Sequence, residues 1–133
     1  MKKSATLFGL LLIQQLAFSQ EKVVLIEQFT NSGCPPCASY SPVVSDYVEQ
    51  NPSKLLMISY HTGFPYLDSM YHENKTESNA SVAYYGVQSV PYTVLAGKAF
   101  TGPTYSFNQD IDRLVSNELG KISPVTVRFT NLQ

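Results

Sequence analysis

Hydrophobic and polar positions change period several times along the chain, and the changes mark its elements. Val23-Val24-Leu25-Ile26, leading to Phe29, is a continuous β-branched and aliphatic run, the pattern of a central strand covered on both faces. It ends in Thr30-Asn31-Ser32-Gly33, a turn cluster. From about Pro35 to Gln50 the period becomes helical, with Tyr40, Val43, Val44, Tyr47 and Val48 on one face. Proline is tolerated in the first turn of that helix, where amide hydrogens lack partners. Pro42 lies inside it and is expected to kink it, and Asn51-Pro52 stops it. Leu55 to Tyr60 reads as a second buried strand. His61 to Asn74, aromatic with Gly and Pro, reads as a loop with little regular structure. Thr76 to Tyr85 predicts a helix closed by Gly86. Tyr92–Ala96 and Lys98–Thr101 predict a hairpin around Gly97. Ser106 with Gln109 forms a capping box that opens a helix through Leu119, with Gly120 as its stop.

The order is β-α-β-α-β-β-α. A strand–helix–strand crossover implies parallel pairing of the first two strands, and the hairpin adds antiparallel strands at the other side. The expected class is therefore α/β, a central mixed four-stranded sheet flanked by helices. The two ends read differently. Lys2 and Lys3, the apolar stretch Leu7 to Ile13 and the small-x-small Ala17-Phe18-Ser19 make residues 1–19 a secretory signal peptide, too short to span a membrane. Cleavage leaves Gln20 first, with no cysteine there to carry a lipid anchor. Residues 20–121 then form one domain. In 122–133, Val125, Val127 and Phe129 alternate with Thr126, Arg128 and Thr130, a half-buried strand that suggests the start of a β-rich part of a longer protein. The formal charge is −1 and becomes −3 without Lys2 and Lys3, which offers no basic patch for nucleic acid.

Chemistry concentrates in Cys34-Pro35-Pro36-Cys37, which holds both cysteines of the chain. A C-x-x-C pair at a strand-to-helix junction is where a reactive dithiol is placed, and the first turn of a helix brings the sulfurs close enough to bond. Cys34, at the helix N-terminus, is the expected accessible, attacking thiolate, favoured by unpaired amides and the macrodipole. Cys37, one turn in, resolves the mixed disulfide. A permanent structural disulfide is the competing reading, although so short a loop contributes little chain-entropy stabilisation. In an exported, oxidising setting the pair tends to oxidise unless something reduces it.

His61 follows the second strand, at the sheet edge that also carries Cys34. It could stabilise a thiolate, bind metal, or pack and hydrogen-bond within its loop, and Asp68 and His72 share that loop. Cys34, Cys37, His61 and His72 together would offer two sulfurs and two nitrogens to zinc or copper, but the histidine spacing matches no standard zinc pattern. Phe64, Tyr66 and Tyr71 could present a surface to unfolded polypeptide or cover the edge of the core.

Four features together resemble the thioredoxin superfamily over Val23 to Leu119. They are C-P-P-C after the first strand, Pro42 five residues beyond Cys37, Ala83-Tyr84-Tyr85-Gly86-Val87-Gln88-Ser89-Val90-Pro91-Tyr92-Thr93, and the closing hairpin and helix. The resemblance implies a thioredoxin-like fold, with Pro91 as a cis-proline lying against the cysteines. The Val90 backbone is then left to pair with an extended substrate. Three departures stand out: Gly33 replaces the tryptophan that usually precedes the first cysteine, Gln28 stands where a buried acid is usual, and Pro-Pro replaces Gly-Pro. Glu27, next to Gln28, is expected on the opposite sheet face. More narrowly, Val24-Leu25-Ile26-Glu27-Gln28-Phe29-Thr30 and Tyr60-His61 resemble the 28-kilodalton outer-membrane-protein-related family of exported Gram-negative proteins.

Motif and resemblance together lead to the expectation of an exported protein-disulfide oxidoreductase of the periplasm or cell envelope. It needs no organic cofactor and no metal. Its partners are protein or peptide thiols and disulfides and a redox partner protein, and outer-membrane association would run through sequence beyond the domain. Two rival classes remain, a copper- or zinc-handling domain using the same sulfurs and a non-catalytic interaction module.

Overall fold

Seven-residue β1 (Val24–Thr30) is buried along almost its whole length and lies at the centre of a four-stranded sheet of order β2-β1-β3-β4. A computed structural model describes residues 22–100 and 107–123, with side chains described from Asp110 onward in the second stretch. The leader at 1–19, Ser106 with the Gln109 side chain that would complete its capping box, and the strand at Pro124 to Gln133 lie outside what is described.

Parallel pairing of β1 with β2 (Leu55–His61) sets Ile26 opposite Met57 and Thr30 opposite His61. The crossover is α1 (Pro35–Glu49), which continues past Pro42. It ends where Asn51 turns its side-chain amide back to the Tyr47 carbonyl at 2.8 Å. β3 (Tyr92–Leu95) pairs antiparallel with β1, and β4 (Lys98–Phe100) antiparallel with β3. Their turn places Ala96 at φ 49° and Gly97 at φ 77°, the two successive left-handed residues that match hairpin twist. α4 (Phe107–Leu119) returns across the sheet.

Side chains of β1 alternate between two cores, as a strand requires. Val24 and Ile26 meet Tyr40 and Val44 of α1, Ile111 and Val115 of α4, and Leu55 and Leu95. Phe29 faces the other way, onto Val87 and Val94, with Tyr60, Tyr85 and Tyr92 around it. Glu27 is on this second face, as alternation from Gln28 demands. Its carboxylate accepts the Tyr85 hydroxyl at 2.5 Å, with the Tyr60 hydroxyl at 3.5 Å. Burial, and then that carboxylate, push the Tyr85 phenol above its ordinary range.

The stretch after β2 is more ordered than its composition suggests. β2 runs on to His61, and two helices follow, α2 (Ser69–Glu73) and α3 (Lys75–Tyr85). The cause is one side chain. Asp68 Oδ1 accepts from the Met70 and Tyr71 amides at 2.9 and 3.3 Å, satisfying donors that an uncapped helix leaves open. α3 closes as expected on Gly86, at φ 63°, where the Val87 amide reaches back to the Val82 carbonyl.

Because Ile26 is completely buried between two helices, Ile26→Ala should cost about 2–5 kcal/mol. Urea unfolding measures it, and a loss under about 1 kcal/mol would mean this core is not where stability resides.

Candidate functional site

Within four residues of β1 the chain must stop being a strand and start a helix, and backbone partners guide each step. The Ser32 amide donates to Asp68 Oδ2 at 2.7 Å, the Gly33 amide to Asn31 Oδ1 at 2.9 Å, and the Cys34 amide to the Asn31 carbonyl at 3.1 Å. Cys34 is the extended N-cap of α1. Pro35 and Pro36 have no N–H, so the first amide α1 can offer is that of Cys37. It donates to Cys34 Sγ at 3.3 Å. The two cysteines are disulfide-bonded, with Cα atoms 5.2 Å apart, inside the range that needs no backbone movement.

On the other side stands the turn before β3. The Val90–Pro91 peptide is cis, and Cys34 Sγ lies 3.7 Å from the Val90 carbonyl oxygen. Dithiol loop and proline turn therefore meet, although 56 residues separate Cys34 from Val90.

Solved structures share this fold at low identity. DsbA from Pseudomonas aeruginosa matches with a TM-score of 0.56 at 14% identity, over 77% of this chain and 88% of that one. An exposed lipoprotein thioredoxin from Streptococcus pneumoniae gives 0.52 at 13%, over 70% and 86%. Thioredoxin O2 from Arabidopsis thaliana gives 0.50 at 14%, over 70% and 76%. No family model and no curated protein matches the chain. The fold is thioredoxin-like.

In this thioredoxin-like fold Cys34 is less open than the sequence leads one to expect, while Cys37 is buried as a residue one turn in should be. Cys34 is 3% exposed and Cys37 1%. The Thr62–Leu67 segment closes on the cysteine loop from the β2 side. Asn31 Nδ2 donates to the Thr62 and Tyr66 carbonyls at 2.9 and 2.8 Å. A Cβ on Gly33 would stand 2.8 Å from Tyr66 Cβ, so Tyr66 fills the space a side chain at position 33 would need. Leu67 beside it is 92% exposed and Tyr66 54%.

His61 makes no hydrogen bond to either sulfur. Its Nδ1 pairs with Asp68 Oδ2 at 2.7 Å, and through that carboxylate it reaches the Ser32 amide. His72 instead stacks edge-on with Tyr71. Among the described residues no group of three or more His, Cys, Asp or Glu is placed to hold a metal ion, so Cys34, Cys37, His61 and His72 are not brought together. Gln28 is buried on the α1 face of β1, and its Nε2 is the one buried side-chain polar atom without a partner among the described residues. Asn31 and Asp68 are the residues that matter most beyond those the motif names. Asp68 has the legible signal, an N-cap type just before a Ser-Met-Tyr-His run.

Burial alone would raise the Asp68 carboxyl, but hydrogen bonds from His61, Ser32 and Tyr71 outweigh it and hold it at about 2, below its ordinary 3.8. A depressed carboxyl contributes stability that is complete above the ordinary value and vanishes as pH falls through the folded one. Urea midpoints should therefore fall between about pH 4 and pH 2, and the fall should be shallower in Asp68→Asn. Parallel slopes for the two proteins would contradict this.

Proposed function

We propose that the chain is an exported thiol–disulfide oxidoreductase acting on protein or peptide thiols and disulfides. The observation that carries it is the position of Cys34 Sγ, which caps α1 and lies 3.7 Å from the carbonyl oxygen of the cis Val90–Pro91 turn. Backbone beside a reactive sulfur can hold a strand-like substrate while exchange occurs. In the oxidising direction a substrate thiolate attacks Cys34 Sγ, the Cys34–Cys37 bond breaks, and Cys37 leaves as thiolate and takes a proton. A second substrate thiolate then attacks its own half of the mixed disulfide and expels Cys34. The substrate loses two electrons and the cysteine pair gains them. Reduction of a substrate is the same sequence reversed. Export rests on the leader pattern of residues 1–19, and membership of the 28-kilodalton outer-membrane-protein-related family on the β1 and Tyr60-His61 sequences.

Burial of both sulfurs favours a second reading, a thioredoxin-like module whose disulfide is structural. Attack needs access to the sulfur, and Asn31 and Tyr66 hold the neighbouring segment down. The two readings part under native conditions.

With a substrate disulfide, the Cys34 thiolate of Cys37→Ser should attack one substrate sulfur, expel the other as thiolate and accumulate a mixed disulfide, seen as a mass adduct removed by dithiothreitol. Cys34→Ser should give none, and wild type should equilibrate with glutathione without denaturant. A Cys34–Cys37 bond that resists excess glutathione in buffer yet opens in urea would establish the structural reading instead.

A further inference from the structure

The segments that build the dithiol site carry no charge of their own. From Gln28 to Ser45, and again from Gly86 to Gly97, there is no Asp, Glu, Lys, Arg or His. Charge is brought to the cysteine loop from elsewhere. Asp68, its side chain fully buried, places Oδ2 against the Ser32 amide, two residues before Cys34, while His61 Nδ1 takes the other side of the same oxygen. Glu27, the nearby carboxylate of β1, lies on the opposite face with Tyr60 and Tyr85.

We propose that Asp68, held by His61, is a positioning residue that disfavours the Cys34 thiolate and so biases the pair towards the disulfide. This rests on the oxidoreductase reading. Three features act in the same direction. Pro35 and Pro36 delete two amides that would otherwise face an anion at the start of α1. Asp68 occupies the Ser32 amide, a third donor of the loop. Its charge, fixed on the amide two residues before Cys34, opposes a thiolate at that position, and inside a protein that repulsion is screened less than in water. The imidazole offsets part of the charge when protonated, and it accounts for how a carboxylate can remain buried there. Disfavouring the thiolate lowers the tendency of the disulfide to accept electrons, because a stabilised reduced form is what makes a dithiol protein oxidising.

The test separates charge from scaffold. Asn and Ser both cap helices as neutral residues, so Asp68→Asn and Asp68→Ser retain the α2 cap and delete the charge. Each protein is equilibrated with reduced and oxidised glutathione at pH 7, where two glutathiones reduce Cys34–Cys37 and leave as one glutathione disulfide. The Cys34 thiolate is titrated separately by its ultraviolet absorbance. Both variants should shift the equilibrium about tenfold towards dithiol, which is ~30 mV for a two-electron couple, and should lower the thiolate midpoint. Asp68→Glu, which keeps the charge, should stay within threefold of wild type. A purely structural Asp68 would change the melting temperature and leave the equilibrium within twofold in the neutral variants, and that result overturns the proposal. If only one neutral variant folds, its shift decides. A wild type that never exchanges with glutathione would fail the oxidoreductase reading itself, whatever the variants do.

Discussion

The site depends on how the backbone amides of residues 32–34 are satisfied. A strand that ends at the rim of a sheet leaves its last donors facing outward, and a helix that begins at once leaves its first donors open too. Here Asp68, Asn31 and the Asn31 carbonyl take the Ser32, Gly33 and Cys34 amides in turn, and two prolines abolish the next two. With those choices made, Cys34 must cap α1 and the Cys37 amide must point at its sulfur. The geometry of the disulfide is thus imposed by hydrogen bonding in the loop before it as much as by cysteine spacing.

The same hydrogen bonds explain why the segment 62–66 lies on the cysteine loop. Asn31 cannot hold Gly33 and Cys34 and remain unpaired at its own amide, since it is buried and an unmet donor there costs about 1–3 kcal/mol. Its Nδ2 goes to the Thr62 and Tyr66 carbonyls, which draws that segment onto Gly33. Glycine at position 33 is then required by packing. Tyr66, from another part of the chain, fills the space that a side chain at position 33 would occupy.

Much of this was legible in the residues. The β-branched run of β1, the helical spacing from Tyr40 to Val48, the Gly86 stop and the hairpin at Gly97 are local signals, and each element formed where it was expected. The strand order followed from one crossover and one hairpin. The region from His61 to Asn74 was not legible, because its regularity comes from the Asp68 cap and from contacts to a loop about 35 residues earlier in the chain. Gly, Pro and aromatic residues carry no period that could show this. Burial of Cys34 was hidden for the same reason, since its sulfur lies against the Val90 turn while Tyr66 packs on Gly33 beside it. Of the roles the sequence left open for His61, the structure shows hydrogen bonding within its loop, to the carboxylate that holds the Ser32 amide.

Gln28 and Glu27 show how one strand position decides what chemistry the site can carry. Alternation puts Gln28 on the α1 face, between Ile26 and Thr30, whose hydroxyl meets Ser41 one helical turn beyond Cys37. Glu27 is turned away into the tyrosines. An amide can accept from a thiol through its oxygen or donate to a thiolate through its nitrogen, but it cannot remove a proton. The Gln28 Nε2 donor is buried without a partner while the cysteines are bonded, and a protein does not keep such a donor without cost. The proton that Cys37 gains or loses during exchange has no carboxylate on that face of β1 to pass through. If the pair exchanges as proposed, that proton travels with the incoming partner or by solvent, and exchange is paced by what approaches Cys34 more than by a base stored beneath it.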